Sequence, residues 1–304
     1  MVKHFLSLED LSKKTINKII DDSIQMKSDL KQGFQHEFLK NKTCALFFEK
    51  PSTRTYVSFG VAIFQSGGLA INMQQSSFAG RESLADVSRT LSRYVSVIII
   101  RTFDQNLLLE IAAHSTVPII NALTDTYHPC QALADYQTII EHKGNKKLKI
   151  AYLGDGFNVA NSLIILSSKI GMDISLGCPK DYQPDKSIIT KAKKWAKSSG
   201  ANIQVTSNPE EAVKNVDVIY TDTWTSMGLE EEANKRVKIF QPYQVNEHLL
   251  KHANNDTIVM HCLPAHRGEE ITDQVIDGSK SVVFDQAENR LHVQKAVLKH
   301  YTRQ

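Results

Sequence analysis

Short apolar runs alternate with longer amphipathic stretches along almost the whole chain, and this alternation restricts the fold more than any single motif. Parallel strands joined by crossover helices produce such a pattern. A strand covered on both faces is nearly all apolar, whereas the helix that covers it buries only one stripe. The class is therefore α/β with parallel sheets. Strands are expected at 43–49, 69–72, 97–101 and 117–121, then at 148–153, 173–176, 216–220, 257–260 and 281–284, with a last helix from about Gln286. The Lys-rich, Gly-bearing segment at 141–149 is the best boundary between two domains.

The 304 residues suffice for two such domains. A net charge of +3 is too weak to argue for nucleic acid, and no apolar run approaches the roughly 20 residues needed to span a bilayer. The amino terminus turns acidic and polar before a signal sequence could develop, so a cytoplasmic location is expected. Cys44, Cys130, Cys178 and Cys262 form no Cys-x-x-Cys pair, which excludes a zinc ribbon and a dithiol redox motif.

Five segments carry residues suited to chemistry. Ser52-Thr53-Arg54-Thr55 follows the first strand at the expected start of a helix, where unpaired N–H groups favour a phosphate and Arg54 adds a charge-assisted donor. On these residues alone an ordinary helix N-cap explains the pattern equally well. His128-Pro129-Cys130-Gln131 follows the fourth strand, and Arg101 ends the third, so Arg54, Arg101 and His128 are expected at one carboxyl edge, where open α/β sheets bind ligands. Gly154-Asp155-Gly156-Phe157-Asn158-Val159-Ala160 fits the Gly-x-Gly-x-x-Ala dinucleotide fingerprint, but the next strand runs into Gly177-Cys178-Pro179 without the acidic residue that fingerprint needs. Asp222 ends another strand ahead of Ser226-Met227-Gly228, where a carboxylate suits a substrate ammonium; the run Glu230-Glu231-Glu232 reads as a solvated helix start. His261-Cys262-Leu263-Pro264 and His266 raise the question of a metal, but their spacing matches no tetrahedral pattern.

Taken in order, these segments resemble the aspartate/ornithine carbamoyltransferase family, and its ornithine branch most closely. The resemblance spans nearly the whole chain and rests on Phe-Glu-Lys-Pro-Ser-Thr-Arg-Thr, His-Pro-Cys-Gln, Asp-x-x-x-Ser-Met-Gly and His-Cys-Leu-Pro. The aspartate branch has His-Pro-Thr-Gln and lacks the last two elements. The resemblance implies transfer of a carbamoyl group from carbamoyl phosphate to the δ-amine of L-ornithine, giving L-citrulline and phosphate, as a step of arginine metabolism with no cofactor or metal. It implies that Ser52, Thr53, Arg54 and Thr55 bind the phosphate, that Arg101, His128 and Gln131 bind the carbamoyl end, and that Arg290 completes this site. Asn158, Asp222, Ser226 and Met227 would hold the ornithine α-amino and α-carboxylate groups, and Cys262 and Leu263 would line the reacting end. Arg101, His128 and Cys262 would be the catalytic groups.

The expected layout is a carbamoyl phosphate domain at 1–143, an ornithine domain at 144–285 and a helix at 286–304 that packs back on the first domain. The resemblance also implies a homotrimer, or a multiple of trimers, in which a neighbouring chain's loop near 76–82 contributes to the site. Four departures stand out. Tyr56 occupies the place of a usual Arg, the loop reads Gly-Arg-Glu at 80–82 rather than Gly-Arg-Gly-Glu, Leu69 replaces a frequent His, and Phe157 replaces the first of two Asn while Asn158 is retained.

Overall fold

In a computed structural model, residues 2–49, 52–74, 78, 82–225 and 230–302 are described. The helices are α1 (Lys13–Lys31), α2 (Thr53–Phe64), α3 (Leu84–Tyr94), α4 (Gln105–His114), α5 (Pro129–Lys143), α6 (Asn158–Ile170), α7 (Lys186–Ser199), α8 (Pro209–Val213), α9 (Ala233–Phe240), α10 (Glu247–Leu250), α11 (Asp273–Ile276) and α12 (Val283–Thr302). The strands are β1 (Thr43–Phe48), β2 (Leu69–Asn72), β3 (Val97–Arg101), β4 (Ile119–Leu123), β5 (Lys149–Leu153), β6 (Asp173–Gly177), β7 (Ile203–Thr206), β8 (Val218–Thr221) and β9 (Ile258–His261). The chain divides into two compact units, Met1–Gln137 with Asn289–Gln304, and Thr138–Glu288, so the borders fall inside α5 and α12.

In the first unit a parallel sheet runs β2-β1-β3-β4. Every residue of β3 and β4 is buried, as expected for strands covered by helices on both faces. Phe47, Ile98, Ile100, Leu108 and Ile111 share one core cluster. The free edge of β4 is covered by the amino-terminal segment: the Phe5 N–H donates to the Ile119 carbonyl and the Asn121 N–H to the Phe5 carbonyl, each at 2.8 Å. The end of α12 belongs to this unit, with the Tyr301 ring 5.6 Å from that of Phe5 and the Lys299 ammonium 2.5 Å from the Asp22 carboxylate.

The second unit carries a parallel sheet ordered β7-β6-β5-β8-β9. Its core joins Leu153, Val213, Ile219, Val259 and Ile271. Both sheets reverse their strand order once, between β1 and β3 and between β5 and β8, and the carboxyl ends of these strand pairs are where such sheets bind ligands.

Three elements differ most from the sequence expectation. Residues 281–284 are not a strand: Ser281 makes a single bridge to Val259 on the edge of β9, and α12 begins at Val283 rather than near Gln286. The apolar Val282-Val283-Phe284 suits either state, and here the helix takes it. The expected strand at 117–121 begins at Ile119, since Pro118 has no N–H for the ladder. The edge strand β7 was not expected; all four of its residues are only half-buried, so it lacks the apolar run that marks its neighbours.

Candidate active site

At the first reversal β1 leads into α2. Ser52 is the N-cap of that helix, and its hydroxyl accepts from the Thr55 N–H at 3.4 Å, so Thr53, Arg54 and Thr55 form the first turn. Thr53 and Arg54 are exposed, while Thr55 is buried. Lys50 and Pro51 lie outside the described residues. Arg101 ends β3 and is buried, at a register shift between Ile100 and Arg101 in the pairing with β4.

His128 is set by the turn after β4. The Thr124 hydroxyl oxygen accepts from the Tyr127 N–H at 3.1 Å and donates to Gln105 at 2.7 Å. Pro129 then opens α5, where a missing N–H does no harm. Arg290 of α12 joins these pieces: its guanidinium donates to the Gln131 carbonyl oxygen at 2.5 Å and to the Thr55 hydroxyl at 3.1 Å, while the Gln131 amide donates to Asp135 at 2.8 Å. Burial, with Arg290 and Arg101 adding to it, holds the His128 imidazole well below its ordinary pKa, so the ring is neutral at pH 7. Arg290 therefore ties Thr55 to Gln131, and with Arg101 it acts on the neutral His128 imidazole. Cys130, although adjacent, has its thiol pushed up to about 12 by burial and is no nucleophile.

At the second reversal the carboxyl ends of β5 and β8 are tied by the Thr221 hydroxyl, which donates to the Leu153 carbonyl at 2.8 Å. Asn158 opens α6 and is buried. The Asp222 carboxylate accepts from the Cys262 thiol at 2.9 Å and from the Thr223 N–H at 2.8 Å, and burial raises its pKa. Leu263, with φ +57°, adopts a left-handed conformation that a bulky residue rarely takes, which costs on the order of 1–3 kcal/mol and is characteristic of functional turns. The Leu263 N–H donates to His261 Nδ1 at 2.9 Å, so the ring carries its proton on Nε2, which donates to Glu270 at 2.9 Å; both side chains are fully buried. Ser226, Met227 and most of the 76–82 loop lie outside the described residues.

The sequence reading missed two groups beside this site. Arg236 of α9 is buried, donates through Nε to the Trp224 carbonyl at 2.6 Å, and pairs with Asp155 between β5 and α6. Its guanidinium also lies over the Tyr182 ring, 4.7 Å from the centroid. The available signal was a lone Arg in a Lys-bearing helix, with an acidic residue between two glycines far upstream. The other missed group is Glu270, which fixes the tautomer of His261.

Gly156 lies so close to its own chain that a Cβ there would sit 2.3 Å from the Pro184 nitrogen. In the dinucleotide fingerprint the second glycine admits a pyrophosphate. Here it admits residues 183–184, which removes that motif's support for a nucleotide.

The chain matches the model of the aspartate/ornithine carbamoyltransferase carbamoyl-P binding domain over residues 3–141 and that of the Asp/Orn binding domain over 146–301. The chain belongs to the aspartate/ornithine carbamoyltransferase family. Among its relatives, the ornithine carbamoyltransferase of Caldicellulosiruptor saccharolyticus is 51% identical over 98% of this chain and 97% of that protein. The anabolic ornithine carbamoyltransferase of Pyrococcus furiosus is 50% identical over 97% and 95%. The solved structure of the ornithine carbamoyltransferase from Pyrococcus furiosus superposes with a TM-score of 0.95 at 49% identity, covering 97% of this chain and 96% of that one. Against this family the departure at Tyr56 is local: the side chain is 41% exposed and its ring meets Phe48 edge-on at 5.7 Å.

Proposed function

We propose that the protein transfers the carbamoyl group of carbamoyl phosphate to the δ-amine of L-ornithine, producing L-citrulline and phosphate in arginine metabolism. The observation that carries this reading is the Cys262 thiol donating to Asp222 at the second reversal, in a chain about 50% identical to ornithine carbamoyltransferases. The aspartate branch lacks the His-Cys-Leu-Pro element that supplies this thiol.

In this reading the first unit binds carbamoyl phosphate. Ser52, Thr53, Arg54 and Thr55 take the phosphate at the start of α2, where N–H groups and the helix dipole favour an anion. Arg101, His128 and Gln131 take the carbamoyl end, and Arg290 completes the set. The second unit binds ornithine: Asn158, Asp222, Ser226 and Met227 hold the α-amino and α-carboxylate groups, while Cys262 and Leu263 line the reacting end.

The neutral δ-amine attacks the carbamoyl carbon, and negative charge builds on the carbonyl oxygen. Arg101, the Thr55 hydroxyl and an N–H of neutral His128 meet that charge without rearranging. The bond from carbon to the phosphate oxygen breaks, and the departing phosphate accepts the amine proton. A neutral His128 suits this role, since it offers an N–H to the developing oxyanion without adding a further charge beside Arg101 and Arg290.

A cytoplasmic trimer belongs to the same reading. No helix among the described residues is long and apolar enough to cross a membrane. Val57 and Phe64 of α2, with Leu69 and Ile71 of the edge strand β2, are exposed apolar side chains that a second copy of the chain would cover. Sedimentation equilibrium at micromolar concentration should give three times the chain mass. The function is tested by citrulline formation from carbamoyl phosphate with L-ornithine, putrescine, L-aspartate or N-acetylornithine in parallel. Turnover confined to ornithine is expected, and turnover on another amine alone would overturn the assignment of Asp222.

A further inference from the structure

Beyond Cys262 the chain makes a tight turn whose side chains the transfer reaction does not use. The backbone of this turn is pinned from outside: the Gln244 amide donates to the carbonyls of Gly268 and Glu269 at 2.8 and 2.9 Å. Within it the His266 Nδ1, Glu269 and Glu270 donor atoms lie within 4.8 Å of one another. Nδ1 is 3.9 Å from Glu269 Oε2 and 3.9 Å from Glu270 Oε2.

Glu270 differs from an ordinary surface carboxylate. It is fully buried, and Oε1 is held by the His261 Nε2–H at 2.9 Å and the His266 N–H at 2.6 Å. Oε2, also buried, has no hydrogen-bond partner among the described residues, and it is the oxygen turned toward the His266 ring. A buried carboxylate oxygen left without a donor is unfavourable by about 1–3 kcal/mol or more, and a cation removes that penalty. The neighbouring guanidinium does not provide it, because Arg267 is engaged with Asp273 at 2.8 Å and Asp277 at 2.6 and 2.8 Å.

We propose that His266, Glu269 and Glu270 bind one divalent first-row transition cation, with Glu270 as the fixed ligand and the other two as arms that close on it. Donors about 2.1 Å from a common ion stand roughly 3.0–3.4 Å apart, so the arms must move in by up to about 2 Å. Both arms are half-exposed and able to do so. His266 Nδ1 lies 3.1 Å from the Thr223 hydroxyl, which is also 3.2 Å from the Thr225 carbonyl. Closure of the His266 arm exchanges this hydroxyl contact for the ion, and the Thr223 hydroxyl keeps the Thr225 carbonyl as its acceptor. One imidazole with two carboxylates suits Mn²⁺ or Zn²⁺ rather than Mg²⁺ or Ca²⁺, which prefer all-oxygen sets. The set differs from the tetrahedral one weighed on the sequence: His266 joins two glutamates, not His261 and Cys262. The proposal does not depend on the carbamoyl transfer reading.

The test uses the full chain, stripped with a chelator and titrated with Mn²⁺, the free ion being read by electron paramagnetic resonance. Mn²⁺ is chosen because it disfavours thiol ligands, which separates this site from the nearby Asp222, His261 and Cys262 group. The expected result is one site per chain, weakened at least tenfold by His266→Ala and by Glu269→Gln, neither of which removes a core contact. Cys262→Ser, and the pair His248→Ala with His252→Ala in the exposed Glu210, His248 and His252 group, should leave it unchanged. Binding unmoved by His266→Ala and Glu269→Gln, binding lost with Cys262→Ser, or no binding at millimolar Mn²⁺ would each overturn the proposal.

Discussion

Both sheets reverse their strand order at one place, yet the side chains gathered there are chemically opposite. At the β1/β3 reversal the groups are donors and cations: Arg290 on Thr55, and Arg101 and Arg290 acting on a His128 that burial and these charges keep neutral. At the β5/β8 reversal they centre on carboxylates: Asp222 with the Cys262 thiol, Asp155 with Arg236, and Glu270 with His261. In the proposed reading one architecture thus serves an anionic ligand in one unit and a ligand bearing ammonium groups in the other, because the chemistry lies in the residues after the strands rather than in the strands. The contrast extends to support. The cationic site is held by α12 through Arg290, whereas the acidic one is held by pairs that each join a helix or strand residue to a loop residue.

The largest effect should come from breaking that second kind of support. Arg236→Ala strips a buried partner from Asp155 and a donor from the Trp224 carbonyl, and the loss of such a pair is expected to destabilise the second unit by about 3–5 kcal/mol. Thermal unfolding followed by circular dichroism reads it directly. A melting temperature within a degree of the parent would mean that the Asp155 turn stands without its cation.

Arg101→Ala should leave the fold intact and lower kcat at least a hundredfold, about 3 kcal/mol of transition-state stabilisation, with Arg54→Ala losing a similar factor. Near-normal turnover in both would remove the cationic side of the comparison. Asp222→Asn tests the other side. It should raise the KM for ornithine by roughly 10–150-fold, corresponding to about 1.5–3 kcal/mol for a charge-assisted hydrogen bond, and change the KM for carbamoyl phosphate by less than about twofold. Equal changes in both constants would show that the two ligand sites are not chemically separate.

A pH series probes the neutral ring. His128 is held well below its ordinary 6.5, so the unfolded chain binds a proton there that the folded chain refuses. Its contribution to stability is complete above pH 6.5 and falls as the pH drops below that value, by at most about 1.4 kcal/mol per pH unit for one proton. Urea unfolding between pH 7 and 5 should show this slope, and His128→Gln should flatten it.

The strands that passed unseen or misplaced explain what a sequence can carry. β3 and β9 announce themselves because they are buried on both faces. The half-buried β7 offers no contrast to read, and Val282-Val283 stands beside a strand edge while starting a helix. The site divides in the same way. Arg101, His128, Asp222 and Cys262 lie at or just after strand ends, so an α/β reading of the sequence sets them at sheet edges, and the family resemblance gives them their expected roles. Arg236 and Asp155 are separated by 81 positions, and Glu270 becomes informative only once the chain turns it beneath His261. Contacts made by the fold leave no local pattern.

Tyr56 is the place where the cationic site departs from its family, and the effect expected there is the smallest. The side chain lies on the solvent side of α2, one residue beyond the buried Thr55, with its ring against Phe48. An Arg at that position would add a charge that water screens, contributing about 0.2–1 kcal/mol at most. Tyr56→Arg should therefore lower the KM for carbamoyl phosphate no more than about fivefold in dilute buffer, and the gain should fade near 0.5 M salt, where the Debye length is only about 4 Å. A gain that survives salt would place the new guanidinium in direct contact with the phosphate. No change at any salt concentration would mean that Arg54, Arg101 and Arg290 already supply the full field, and that the family's second arginine serves something other than the ligand.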